Sequence, residues 1–127
     1  MSTKRILVVN DETDINTTVR QVLEDKGFKV DSYEDPRLAL ENFKPHYYDL
    51  VITDSKMPQM NGFAFYRGVK ALDKKIKTCF LTAAELQSEQ YSDDTFSSLP
   101  PPNYFIRIPI ENERLLERIE EIMTEVK

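Results

Sequence analysis

The residues of this chain best suited to chemistry are few and widely spaced. Asn10, Asp11 and Glu12 follow the apolar run Ile6-Leu7-Val8-Val9, and Asp54 follows Leu50-Val51-Ile52-Thr53. Thr82-Ala83-Ala84 follows Thr78–Leu81, and Arg107-Ile108-Pro109 closes a run that begins at Tyr104. Two carboxylates brought to one rim, such as Asp11 and Asp54, suit a hard divalent cation like Mg2+, which takes oxygen ligands and keeps several waters. A metal held there draws a phosphoryl group onto the site. An aspartate can then act as nucleophile and form an acyl phosphate, while a neighbouring hydroxyl such as Thr82 hydrogen-bonds the new phosphoryl oxygens.

The elements that must position these groups alternate in type. Ile6–Val9 reads as a strand buried on both faces. Ile15, Val19, Val22 and Leu23 recur at helical spacing, and Gly27 sits where that helix would stop. Phe28–Tyr33 reads as a second strand. Asp35-Pro36 is an N-cap followed by proline at the first helical position, opening a short helix through about Phe43. Leu50–Thr53 is a third buried strand, Met57–Gly62 a loop, and Phe65, Val69 and Leu72 mark a third helix. Thr78–Leu81 and Tyr104–Ile108 supply two more strands. Between them, Ala84–Pro102 is the least regular stretch: a short helix and then a polyproline connector at Pro100–Pro102 are expected. Asn112 is placed to cap the last helix, whose Leu115, Leu116, Ile119, Ile122, Met123 and Val126 form one apolar stripe. Strictly alternating strands and helices imply a parallel sheet covered on both faces, with ligands at the carboxyl ends of its strands.

Composition bounds the function. A chain of 127 residues can bury one core, and 40% hydrophobic with 31% charged residues is an ordinary globular balance. The net charge of −5 disfavours nucleic-acid binding, which needs a basic face. The longest apolar run is four residues, so no membrane span is expected. One cysteine, Cys79, excludes an internal disulfide, and one histidine, His46, excludes a His/Cys zinc site. With no signal peptide at Met1–Arg5, a reducing cytoplasmic home is expected. Enzymes of similar topology fit poorly. Asp11-Glu12-Thr13 lacks the second acid of an aspartate-nucleophile phosphatase, no glycine-rich phosphate loop follows a strand, and Asn10–Asp14 is unlike a flavin phosphate loop.

Ile6–Glu12, Asp49–Gly62 and Lys77–Ala83 in this order, with Tyr104–Ile110 as a weaker fourth segment, resemble the receiver domain of two-component response regulators over essentially the whole chain. The strongest element is Asp54 followed by Met57-Pro58-x-Met60-Asn61-Gly62. The resemblance implies a flavodoxin-like (βα)5 three-layer sandwich with strand order 2-1-3-4-5, and residues 1–127 as a single receiver domain. It also implies roles. Asp54 matches the phosphoacceptor and Asp11 the direct Mg2+ ligand. Lys56 matches the position whose backbone carbonyl is a further ligand. Thr82 matches the switch hydroxyl, Ala83 the small residue that keeps the phosphoryl path open, and Phe105 the switch aromatic. Plainer roles compete: Asp11 as an acid at a helix N-terminus, Thr82 as a helix cap and Phe105 as core.

Two positions depart from the family pattern. Asn10 stands where most members have a second acid, and Ile108 stands where most have a lysine before the strand-five proline. The two losses cancel in charge. Losing the lysine alone would leave a repulsive acid cluster, one unit charge about 4 Å away being worth on the order of 4 kcal/mol at an effective dielectric near 20. Asn10 is expected to hold a metal-bound water, and Arg107 to point away from the face that Ile108 uses. The expected function is a Mg2+-dependent phosphoacceptor, not an enzyme, that takes its phosphoryl group from a histidine kinase or phosphotransfer protein. Its output would be an output protein whose identity the sequence does not give, with dimerisation left open, through the face of the fourth helix, fifth strand and last helix. The competing reading is a pseudo-receiver, a phosphorylation-independent interaction module. Whether the Ile108–Pro109 bond is cis stays open.

Overall fold

The structure, a computed structural model, describes residues 4–54, 57, 60–82 and 104–124. Its elements run β1 (Arg5–Val9), α1 (Thr13–Asp25), β2 (Lys29–Tyr33), α2 (Pro36–Glu41), β3 (Leu50–Asp54), α3 (Gly62–Leu72), β4 (Lys77–Thr82), β5 (Phe105–Arg107) and α4 (Asn112–Thr124). All strand pairings are parallel and the sheet order is β2-β1-β3-β4-β5, as the resemblance implied.

Side-chain alternation divides the core in two. Ile6, Val8, Leu50, Ile52, Cys79, Leu81 and Ile106 face Val19 and Leu23 of α1 and Leu115, Ile119 and Ile122 of α4. Leu7, Val9 and Val51 face Ala39 of α2 and Phe65 and Val69 of α3 on the other side. The middles of the central strands are therefore apolar on both faces, at Ile6–Val9, Leu50–Ile52 and Cys79–Leu81, which is why β1, β3 and β4 read as continuous runs. β2 lies at the edge, and its Lys29 and Asp31 are exposed. A third cluster joins Phe63 and Tyr66 of α3 to Phe80, with Phe105 packed against it.

Local chemistry sets the helix ends. Gly27 adopts φ +96, its N–H donates to Glu24 O at 3.0 Å, and the Phe28 N–H donates to Leu23 O at 3.2 Å. This paired pattern closes α1 and lets Phe28 pack on the Leu23 cluster. Asp35 caps α2 by accepting the Arg37 N–H at 2.9 Å, with Pro36 behind it. α2 ends at Glu41 rather than near Phe43, because Phe43 turns into the core and its N–H bonds Leu40 O at 3.2 Å. In α4 the Leu115 N–H donates to Glu111 O, so Glu111, not Asn112, holds the cap position and Asn112 is already helical. At the far end Lys77 Nζ donates to Ile122 O at 2.9 Å and Met123 O at 3.3 Å, a cation on the carbonyl end of the helix. The expectations for Ala84–Pro102 and Val126 fall outside the described residues.

A Cβ at Gly27 would meet nothing within 4 Å, so Gly27→Ala costs backbone strain alone. Urea unfolding should show it destabilised by roughly 1–2 kcal/mol, the penalty of a left-handed L-residue. An unchanged midpoint would mean that the α1–β2 turn relaxes to another conformation.

Candidate functional site

Register builds the rim. Val9 of β1 is level with Thr53 of β3, so Asn10 and Asp54 come next on neighbouring strands, with Asp11 one step beyond. Asp54 is level with Leu81 of β4, and Thr82 follows. Thr82 in turn is level with Arg107 of β5. The structure thus gathers Asp11, Asp54 and Thr82 at the carboxyl ends of three consecutive strands. Asp11 and Asp54 are half-buried and Thr82 is buried.

The turn leaving β1 is held by amides. Asn10 is 1% exposed; its Oδ1 accepts the Glu12 N–H at 2.9 Å and its own N–H donates to Tyr33 O at 3.1 Å. The expected water-holding oxygen therefore already carries a backbone hydrogen bond. Asn16 Nδ2 donates to Asn10 O at 3.1 Å and to Tyr33 O at 2.9 Å, tying α1 to the ends of β1 and β2 at once. Sequence reading missed this positioning residue. Its signal was there: Asn16 falls on the buried stripe with Val19 and Leu23, where an amide is out of place unless it bonds backbone. Asn10 Nδ2 and Asn16 Oδ1 are both buried with no partner among the described residues. Such an orphan costs about 1–3 kcal/mol. Asn61 was also missed as a cap: its Oδ1 accepts the Phe63 N–H at 2.7 Å and starts α3, which carries Phe63 and Tyr66 beside β4.

The residues that end β4 and β5 share one face of the sheet, and Ile108 takes the other. The Phe80 and Phe105 rings stack at 5.2 Å and 21°, and strand alternation gives Thr82 and Arg107 the same face as these rings. Ile108 packs on the other face, against the cluster that holds Ile15 and Leu115. Its N–H donates to Thr82 O at 3.0 Å, and the Ile108–Pro109 peptide is cis. Arg107 accordingly leaves the sheet away from Ile108's face and beside Thr82, and its side chain is exposed.

The carboxylates suit Mg2+ by donor chemistry. They are hard oxygens, and Mg2+ is commonly held by one or two carboxylates with waters completing the shell. Among the described residues no group of three or more His, Cys, Asp or Glu side chains gathers as a closed cage. Lys56 and Ala83 lie outside the described residues. A groove of about 790 Å3 lies at the carboxyl end of β2 between α1 and α2, lined by Asn16, Tyr33 and Asp35 but by none of Asp11, Asp54 and Thr82. Phosphoryl chemistry needs converging carboxylates more than volume, so the rim is the candidate. Cys79 is no rival nucleophile: burial pushes its thiol up to about 12, against a smaller opposing pull from Arg118, so it stays protonated at neutral pH.

A doubly wound parallel sheet with acids at the ends of its first and third strands and a hydroxyl at the fourth defines a class of α/β domains built to handle a ligand at the strand ends. The chain belongs to the response regulator receiver domain family, whose model matches residues 6–120. It is 29% identical to the transcriptional regulatory protein RprY of Bacteroides fragilis over 97% of this chain and 50% of that protein. It superposes on the non-phosphorylated HemR receiver domain of Leptospira biflexa with a TM-score of 0.83 at 25% identity, covering 98% of each chain. The response regulator TrrA of Thermotoga maritima, solved in complex with Mg2+–BeF, matches with a TM-score of 0.75 at 28% identity over 94% of this chain and 99% of that one. The chain spans about half the length of the curated relatives it matches. No helix among the described residues is long and apolar enough to cross a membrane.

Asn16→Ala removes both amide bonds to Asn10 O and Tyr33 O and should lower unfolding free energy by about 1–3 kcal/mol. Equal stability to the parent in urea would show that water replaces the amide at no cost. Cys79 should resist a thiol reagent in the folded protein and react fully once urea unfolds it. Rapid labelling of the native chain would contradict its burial.

Proposed function

We propose that residues 1–127 act as one receiver domain that accepts a phosphoryl group on Asp54 from a histidine kinase or phosphotransfer protein. The observation that carries this reading is the parallel register that sets Asp54 between the end of β1, with Asp11, and the end of β4, with Thr82. An Asp54 carboxylate oxygen attacks the phosphorus of the donor's phosphohistidine. The new O–P bond forms as the P–N bond breaks, and the released imidazole nitrogen takes a proton from solvent. Asp11 and Asp54, with the Lys56 backbone carbonyl, would hold Mg2+, which when bound offsets the charge of the incoming phosphoryl group. The likeness to TrrA supports that assignment.

The Thr82 hydroxyl then donates to a phosphoryl oxygen. Thr82 shares its sheet face with Phe80 and Phe105, so its turn toward the rim changes the packing beside the Phe63–Tyr66–Phe80 cluster and lets Phe105 follow inward. The surface altered in this way is offered to an output protein or a further domain, and dimerisation through the β5–α4 side belongs to the same proposal. The domain is a phosphoacceptor of the cytoplasm and not an enzyme: it takes up the phosphoryl group and slowly hydrolyses its own acyl phosphate.

Incubation with acetyl phosphate and Mg2+ followed by intact mass should show one added phosphoryl group, lost in Asp54→Asn. No added mass would favour the phosphorylation-independent module instead.

A further inference from the structure

The rim holds one donor that the proposed chemistry has not used. The Glu12 N–H at 2.9 Å fixes which end of the Asn10 amide is oxygen, because an N–H must meet an acceptor. Nδ2 must therefore point the other way. It is buried, with no partner among the described residues, at the strand end level with Asp54. A buried, oriented donor left open calls for a ligand, a water or a functional acceptor.

We propose that Asn10 Nδ2 is a phosphoryl-binding donor that hydrogen-bonds an oxygen of the group carried by Asp54. This rests on Asp54 being the phosphoacceptor. An acid at position 10 could offer the rim only acceptors and a negative charge, whereas the amide offers a neutral donor next to a group rich in acceptors. Ile108 carries no side-chain donor and packs on the α1–α4 side of the sheet. Asn10 thus takes part of the work of a cationic donor at no cost in metal-repelling charge. The competing account is a water bridging Asn10 Nδ2 to the equally unpartnered Asn16 Oδ1.

The test compares the parent protein, Asn10→Asp and Asn10→Asp with Ile108→Lys. Each is treated with acetyl phosphate and Mg2+, and the lifetime of the phosphoryl group is followed by intact mass. Mg2+ affinity of the unphosphorylated proteins is measured by calorimetry. In parallel, the Asn10 side-chain amide is followed by NMR as beryllofluoride and Mg2+ are added. The donor role predicts that Asn10→Asp binds Mg2+ more tightly yet loses its phosphoryl group about tenfold faster, that Ile108→Lys restores the lifetime, and that the parent's Asn10 amide shifts with beryllofluoride. A longer-lived phosphoryl group in Asn10→Asp overturns the proposal. So does an Asn10 amide that stays unmoved while the parent is phosphorylated, the outcome expected of a bridging water. A parent that gains no phosphoryl group sinks the reading of Asp54 itself and takes this one with it.

Discussion

The pairing register between β1 and β3 is the constraint on which the site depends. Both strands are buried on both faces, with Ile6, Val8, Leu50 and Ile52 committed to one core and Leu7, Val9 and Val51 to the other. A slip of one residue would exchange the two sets and drive every side chain into the wrong packing. Hydrophobic burial far from any chemistry therefore fixes where Asp54 stands relative to Asn10 and Asp11. The same logic runs outward through β4 to Thr82. Precision at the rim is inherited from the packing beneath it.

What packing cannot supply is the path of the chain as it leaves the sheet. There the structure relies on amides. Asn16, buried in α1, bonds the carbonyls that end β1 and β2, and Asn10 turns its oxygen back onto the Glu12 N–H. A neutral amide with one end unpartnered still costs less to bury this deeply than a charged group in its place, which would carry a larger desolvation penalty. The site is thus two exposed-enough carboxylates set on a neutral, hydrogen-bonded floor.

This division explains what the sequence made legible. The central strands announce themselves as unbroken apolar runs because helices cover both faces, and the α1 stop at Gly27 is written in a residue that alone takes a left-handed turn cheaply. Asp35-Pro36 was equally plain, since both residues act locally. The end of α2 and the cap of α4 were misplaced by a residue or two, because there tertiary burial of Phe43 and the carbonyl of Glu111 decide, and neither leaves a local mark. The acids of the site were found through their places after apolar runs. The amides supporting them were not, since an asparagine on a buried stripe looks like noise until its two carbonyl partners are known. Nor does any pattern in the chain reveal which end of the Asn10 amide faces the rim.

The replacement of lysine by Ile108 also changes how the ends of β4 and β5 are coupled. A lysine would link the rim to β5 through charge, a contact that strengthens as negative charge is added there. Here the Ile108 N–H is bonded to Thr82 O, and Ile108 itself is anchored in the α1–α4 core. A displacement of the Thr82 backbone is therefore felt at Ile108 through a hydrogen bond that does not depend on charge at the rim, while a rotation of the Thr82 side chain alone is not. On the opposite face Phe105 rests on Phe80, and Phe80 is two residues before Thr82 on the same strand. Both routes from the rim to β5 consequently run through β4, one by backbone and one by ring packing. Under the proposed function, a change at Thr82 therefore reaches β5 through the end of β4, by these two described contacts.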